Sequence, residues 1–195
     1  MIEISLHLLD IVQNSIKANA ENVKITVYEN TDENILSVKV EDDGVGMDER
    51  MVNKICDPFF TTSDVKRVGF GISLLKFACE NAGGSLEIVS KENEGTTITA
   101  TFVYDHINRQ PLGDMAYTVT CLLLFNLNVG FIYEHTYNGN HFLFSSDDYA
   151  DEATNIVRNG GDLEQWLNSL LKEKIEKLYE KNNHSERNEN NENFI

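Results

Sequence analysis

Between Val23 and Glu41 the chain alternates apolar and polar residues, broken once by Asn30–Asn34, a polar turn. A period of two over this length is the pattern of two half-buried strands joined as a hairpin. The second strand runs straight into Asp42-Asp43-Gly44-Val45-Gly46-Met47. The chain must therefore build a one-sided sheet with a glycine turn at the strand's end, and something apolar must cover the other side.

The flanking segments supply that cover. Leu6 to Ala18 reads as a helix, with Leu8, Leu9, Val12 and Ile16 in one apolar stripe. His7, Asp10, Asn14 and Lys17 fall within roughly an 80° arc on another side. Asp48–Cys56 reads as helical, and Asp57–Gly69 has no period and reads as a loop. Gly71–Asn81 reads as a second long helix, stopped by Gly83-Gly84. Ser85–Ser90 and Thr96–Val103 read as strands. The order is helix, two strands, helix, two strands, which suits helices layered on a mixed sheet.

After Tyr104–Gly113 the composition shifts. Asp114 is placed to cap a helix running to about Phe125, and Val129–Thr136 and His141–Ser145 read as strands around Asn138-Gly139. His135 and His141 are expected to pair across that hairpin. Asp162 with Gln165 forms a capping box for an amphipathic helix bearing Leu163, Trp166, Leu167, Leu170, Leu171, Ile175 and Leu178. Packing of this stripe within the C-terminal part is favoured over a partner groove. The Asn- and Glu-rich tail from Asn182 is expected to be disordered. The expected units are residues 1–104, a small α/β appendage over 105–181, and the tail 182–195.

The net charge is −16. A surface this acidic repels nucleic acid and anionic lipid, so neither is an expected partner. Three cysteines, Cys56, Cys79 and Cys121, without metal spacing, read as free thiols of a reducing compartment. The N-terminus lacks a secretory pattern, and the apolar run Val119–Phe125 is too short to span a bilayer. A cytoplasmic location is the expectation.

Four features carry chemistry. Asp10 and Asn14 stand one helical turn apart. The Asn14 carbonyl oxygen suits Mg²⁺, and the Asp10 carboxylate suits orienting a hydroxyl or water toward a γ-phosphate; a plain solvated helix face gives the same stripe. The glycines of Asp42–Met47 permit close approach of a flat ligand, beside an aspartate able to accept from an adenine amino group; a mere strand-ending turn looks similar. Lys66-Arg67-Val68-Gly69-Phe70-Gly71 runs into a helix, where backbone N–H groups and the helix dipole favour an anion. Gly95-Thr96-Thr97 sets hydroxyls at the entry of the last strand.

As an ordered set, residues 5–103 resemble the ATP-binding domain shared by sensor histidine kinases, type II topoisomerases, mismatch-repair ATPases and anti-sigma-factor kinases, the GHKL family. LDIVQNSIKANA is similar to its N box, DDGVGM to its G1 box, DPFFTTS to its F box, RVGFGISLLKFACENAGGSLEI to its G2 box and GTTITATF to its G3 segment. The resemblance implies an α+β, two-layer sandwich of the histidine-kinase-like ATPase type, with a mixed sheet and helices on one face. It implies that Asn14 holds Mg²⁺ and that Asp43 binds the adenine amino group. Gly44 and Gly46 would shape the base pocket beside Met47. Gly69, Phe70 and Gly71 would lie at the phosphates, and Thr96 at the adenine end. Lys17, Lys66 and Arg67 would contact phosphates, and Phe59–Val68 would form a lid.

In that family a carboxylate at the place of Asp10, usually Glu, acts as general base where water or serine is the nucleophile. Asp is one methylene shorter. No phosphoacceptor hairpin precedes the first helix, so His7 reads as a helix-face or pocket-rim residue and the chain as a short stand-alone member. The expected function is that of a regulatory, Mg-ATP-dependent kinase acting on a protein partner, like an anti-sigma-factor kinase or a histidine kinase. The alternatives are an ATPase switch that changes docking of residues 105–195, and a nucleotide-sensing protein without turnover.

Overall fold

The computed structural model describes residues 3–52, 54, 55 and 70–192. Its elements are α1 (Ile4–Lys17), β1 (Asn22–Asn30), β2 (Ile35–Asp42), α2 (Glu49–Val52), α3 (Phe70–Asn81), β3 (Leu86–Lys91), β4 (Gly95–Val103), α4 (Met115–Phe125), β5 (Gly130–Tyr137), β6 (Asn140–Ser145), α5 (Ala150–Arg158) and α6 (Leu163–Glu192). Six strands form one sheet in the order β3-β4-β2-β1-β5-β6. All pairings are antiparallel except β1 with β5. This is the α+β, mixed-sheet architecture expected from the order of elements.

Period-two burial follows the sequence pattern. Val23, Ile25 and Val27 of β1, Leu36, Val38 and Val40 of β2, and Ile98, Ala100 and Phe102 of β4 are all buried. The intervening Lys24, Lys39 and Thr99 lie on the other, partly accessible side. A one-residue slip in any of these ladders would turn its apolar set to water, so the register is fixed by burial. The helices cover the buried side: α1 packs on β2, α3 on β3 and β4, α4 on α1 and α6, and α6 on β5 and β6.

Residues 105–181 continue the same sheet and the same core. Phe131 and Tyr133 of β5, Val119 and Leu122 of α4 and Leu171 of α6 join the cluster formed by α1, β1 and β2. The leucine stripe of α6 packs inside this part, with Leu167, Leu171 and Leu178 buried. Truncating fully buried Leu171 to Ala would cost roughly 2–5 kcal/mol. The linker is tied down as well. The Ile4 and Ser5 amides donate to the carbonyls of Pro111 and Leu112 at 3.0 and 2.9 Å. The N-cap residue Glu3 makes no side-chain cap of its own, so linker carbonyls satisfy the first turn of α1.

Several expectations change. Only Glu49–Val52 of the segment Asp48–Cys56 is helical among the described residues. The stretch Ala150–Arg158, for which no element was expected, is helix α5. The last helix continues to Glu192, past the point where composition predicts disorder. Asp114 caps α4, accepting from the Tyr117 amide at 2.9 Å, and Asp162 accepts from the Gln165 amide at 3.0 Å. Of the segment expected as a lid, Phe59–Val68, all lies outside the described residues.

Candidate active site

Helix α1 turns Ile4, Leu8, Ile11, Val12 and Ser15 into the core and leaves Asp10, Asn14 and Lys17 exposed along one stripe. The polar stripe is as expected except for His7; of the expected apolar stripe Leu8 and Val12 are buried, Leu9 and Ile16 are half-buried, and Ile4 and Ile11 complete the buried face. His7 belongs to the same arc but is buried, only 5% exposed. The linker covers it, and its Nε2 meets the Gln110 side-chain oxygen at 3.0 Å. Burial drives its pKa below the usual histidine value, against the opposing pull of the Gln110 hydrogen bond and of the Asp10 charge. His7 is thus a covered core residue, not a rim residue.

The two aspartates of the glycine turn have different environments. Asp42 has the parity of Leu36, Val38 and Val40, and so points toward the helices. It accepts from the Ser15 hydroxyl of α1 at 2.5 Å and from the Gly44 amide at 3.0 Å. It stays partly accessible. Asp43 is exposed, one residue past the strand. Its Oδ1 accepts from the Glu21 and Asn22 amides, both at 2.8 Å, and its Oδ2 from the Asn22 side-chain amide at 2.7 Å. Desolvation alone would raise the Asp43 pKa, but these hydrogen bonds outweigh it and hold the carboxyl below the usual range. Asp43 therefore staples the start of β1 to the end of β2.

The glycines are required by backbone approach. Gly46 has φ +63°, and a Cβ there would fall 1.9 Å from the Lys91 carbonyl oxygen. Gly95 has φ +99°, and its Cβ would fall 1.9 Å from the Asp42 carbonyl oxygen. The G1 turn and the β3–β4 turn thus interlock at distances only glycine permits. Thr96 pairs with Asp42 across β2 and β4. Its hydroxyl meets the Ser90 hydroxyl at 2.8 Å, and Ser90 accepts from the Met47 amide at 2.9 Å. Gly44, Met47 and Thr96 are therefore gathered around Asp42.

Helix α3 starts against α1. A Cβ at Gly71 would stand 3.3 Å from the Asp10 Cβ and 3.5 Å from its Oδ2. The start of α3, the positive end of its dipole, thus lies beside Asp10. Phe70 is the first residue of α3. Lys66, Arg67 and Gly69 lie outside the described residues. Among the described residues no group of three or more His, Cys, Asp or Glu side chains is arranged to hold a metal. Asn14, exposed on α1, carries a hard amide oxygen of the kind Mg²⁺ accepts.

A second polar group was not foreseen. Glu29 and His135 are 4% and 0% exposed. His135 Nε2 lies 2.9 Å from Glu29 Oε1, and its Nδ1 lies 2.8 Å from the Tyr133 hydroxyl. Tyr179 of α6 also donates to Glu29. A carboxylate only accepts, so the proton sits on Nε2 and Nδ1 accepts from Tyr133. The expected pairing of His135 with His141 does not occur. In the register His141 faces Thr136 and His135 faces Phe142, so the two imidazoles lie on opposite faces, and His141 pairs with Glu134 at 2.9 Å. Strand parity, which sets Glu29 with Val23, Ile25 and Val27, was the signal available.

Residues 2–106 match the family described as histidine kinase-, DNA gyrase B- and HSP90-like ATPase. The sensor histidine kinase WalK of Bacillus subtilis is 29% identical over 102 residues, 49% of this chain and 17% of that kinase. Sporulation kinase A of the same organism is 27% identical over 94 residues, 48% of this chain and 15% of its own. The sensor histidine kinase ZraS of Escherichia coli is 26% identical over 106 residues, 54% of this chain and 23% of its own. The chain therefore spans less than a quarter of these relatives' length. The crystal structure of the N-terminal domain of a DNA repair protein shares the fold, with TM-score 0.54 at 17% identity, covering 75% of this chain and 53% of its own. No helix among the described residues is long and apolar enough to cross a membrane. By its matched half and by its fold, the chain belongs to the histidine kinase-, DNA gyrase B- and HSP90-like ATPase family.

Proposed function

We propose that this chain is a regulatory kinase that binds Mg-ATP in the cleft between α1, the Asp42–Met47 turn and the start of α3, and passes the γ-phosphate to a protein partner. ATP binding and a kinase-like character belong to the family. The assignment of residues is our own reading. The observation that carries it is the convergence of Asp42 and Thr96 on Ser15 near the C-terminal end of α1, with Asp10 further back along the same helix against Gly71 of α3.

In this reading Asp42, not Asp43, accepts from the adenine amino group. Asp42 makes two hydrogen bonds on the helical side and keeps acceptor capacity toward the cleft, whereas all three hydrogen bonds of Asp43 serve the start of β1. Asn14 would hold Mg²⁺, which supplies charge neutralisation at the phosphates. Lys17, exposed at the end of α1, would add a charge there, and the α3 amides would receive phosphate oxygens. Asp10 would accept the proton of the attacking hydroxyl as its oxygen bonds to phosphorus and ADP leaves. The parallel β1–β5 ladder and the linker over α1 weigh against a switch that moves residues 105–195.

The test is release or transfer of labelled γ-phosphate by the purified chain with Mg²⁺, wild type beside Asp10→Asn. Turnover that falls about 10²–10⁴-fold in the variant supports a general base. Equal turnover in both removes Asp10 from the chemistry.

A further inference from the structure

Away from the nucleotide cleft, α5 makes an incomplete contact with the body of the protein. Ala150, Ala153 and Val157 form one apolar stripe at helical spacing, yet no residue of α5 is buried. The stripe faces an open groove of about 570 Å³ between α5, the end of α4 and the start of α6, with Leu127, Phe144 and Leu163 on its other sides. An amphipathic helix held off its own core has apolar surface left for something else.

The occupant is constrained by three observations. The apolar surface does not stop at the groove: Phe125, outside its walls, is 82% exposed, while the wall residues Leu127 and Val157 are 78% and 57% exposed. A small ligand enclosed in the groove would leave Phe125 in water. The groove-forming segment 147–164 carries Asp147, Asp148, Asp151, Glu152, Asp162 and Glu164 against the single base Arg158. Asp147 and Arg158 line the groove and the other acids stand beside it in sequence, so a second copy of a chain with net charge −16 would set two such acidic segments against each other. We infer that this groove docks a partner's amphipathic helix, apolar on one face and flanked by Lys or Arg, laid between α5 and the α4–β5 corner.

The chain carries its own reporter. Trp166 is its only tryptophan, and its ring lies 6.3 Å from that of Tyr149, which lines the groove. The probe is a synthetic 14-residue peptide with Leu at i, i+3, i+4 and i+7 and Lys elsewhere, titrated into the full chain without nucleotide. The expected result is a saturable shift in Trp166 emission. Binding should be at least tenfold weaker for a scrambled peptide of the same composition and for one with Glu in place of Lys. Ala153→Gln, which blocks the groove at an unburied position, should also weaken binding at least tenfold with an unchanged thermal midpoint. Equal binding of the scrambled or acidic peptide, unchanged binding by Ala153→Gln, or no saturable shift would overturn the inference. So would filling of the groove by a small amphiphile such as anilinonaphthalene sulfonate while the peptide does not bind.

Discussion

Asp42 and Glu29 sit at opposite ends of one ladder. In the β1–β2 register Val23 pairs with Asp42 and Glu29 with Leu36, and both carboxylates point to the helical side of the sheet. Their surroundings then diverge. Glu29 is sealed beneath α6 and accepts from His135 and Tyr179. Asp42 is bound by one hydroxyl and one amide and remains partly open. An inward acid at a strand end is thus sealed where neighbours close over it and accessible where they do not. Parity alone does not tell the two apart; what covers the strand end does.

The contrast can be broken most forcefully at Glu29. Glu29→Ala leaves His135 Nε2 and the Tyr179 hydroxyl buried without their acceptor, and should cost about 3–5 kcal/mol of folding stability. Nucleotide affinity measured on the remaining folded protein should hold. Chemical denaturation and a binding titration on the same variant separate the two effects.

Asp42→Ala should do the reverse. Losing an acceptor for an adenine amino group removes a charge-assisted hydrogen bond of about 1.5–3 kcal/mol, which is a loss of affinity of roughly ten- to 150-fold. GTP, which carries a carbonyl where adenine has its amino group, should bind wild type poorly and show no further loss in the variant. Calorimetry with both nucleotides checks this.

Asp43→Ala sharpens the comparison from the neighbouring position. It unties the start of β1 and should lower stability by about 1 kcal/mol, with nucleotide affinity unchanged. A thermal melt beside a titration distinguishes this from a role in the site.

The smallest effect is a pH dependence at His7. Burial lowers its pKa below the ordinary histidine value of about 6.5 in the folded chain. The unfolded chain therefore binds the proton more readily, so stability is full above about pH 6.5 and is lost as pH falls toward the folded pKa. His7→Asn, which can still meet Gln110, should flatten that acid-side slope in denaturant midpoints taken from pH 7.5 to 5.

Much of this was legible in the residues. The period-two runs of β1 and β2 and the leucine stripes of α1 and α6 mark the layers, because burial dictates both pattern and fold. Asp10 and Asn14 were legible as one exposed stripe, since helical spacing is local information. The inward direction of Asp42 was available from strand parity, and was obscured because Asp42 and Asp43 both stand beside the glycines of a turn. The burial of His7 was not available locally: it depends on Gln110, a hundred residues away, lying over α1. The union of 105–181 with the sheet depends likewise on the β1–β5 pairing, a long-range contact that composition does not encode. Helix α5 was missed because a short helix with no buried residue lacks the core-facing signal that betrays the others.

The central claim is tested most directly by titrating Mg-ATP into wild type, Asp42→Ala and Asp43→Ala, each first shown to be folded by circular dichroism. The account predicts tight binding by wild type and Asp43→Ala and loss of at least tenfold in Asp42→Ala. Wild-type affinity in Asp42→Ala, with binding lost in Asp43→Ala, would contradict it.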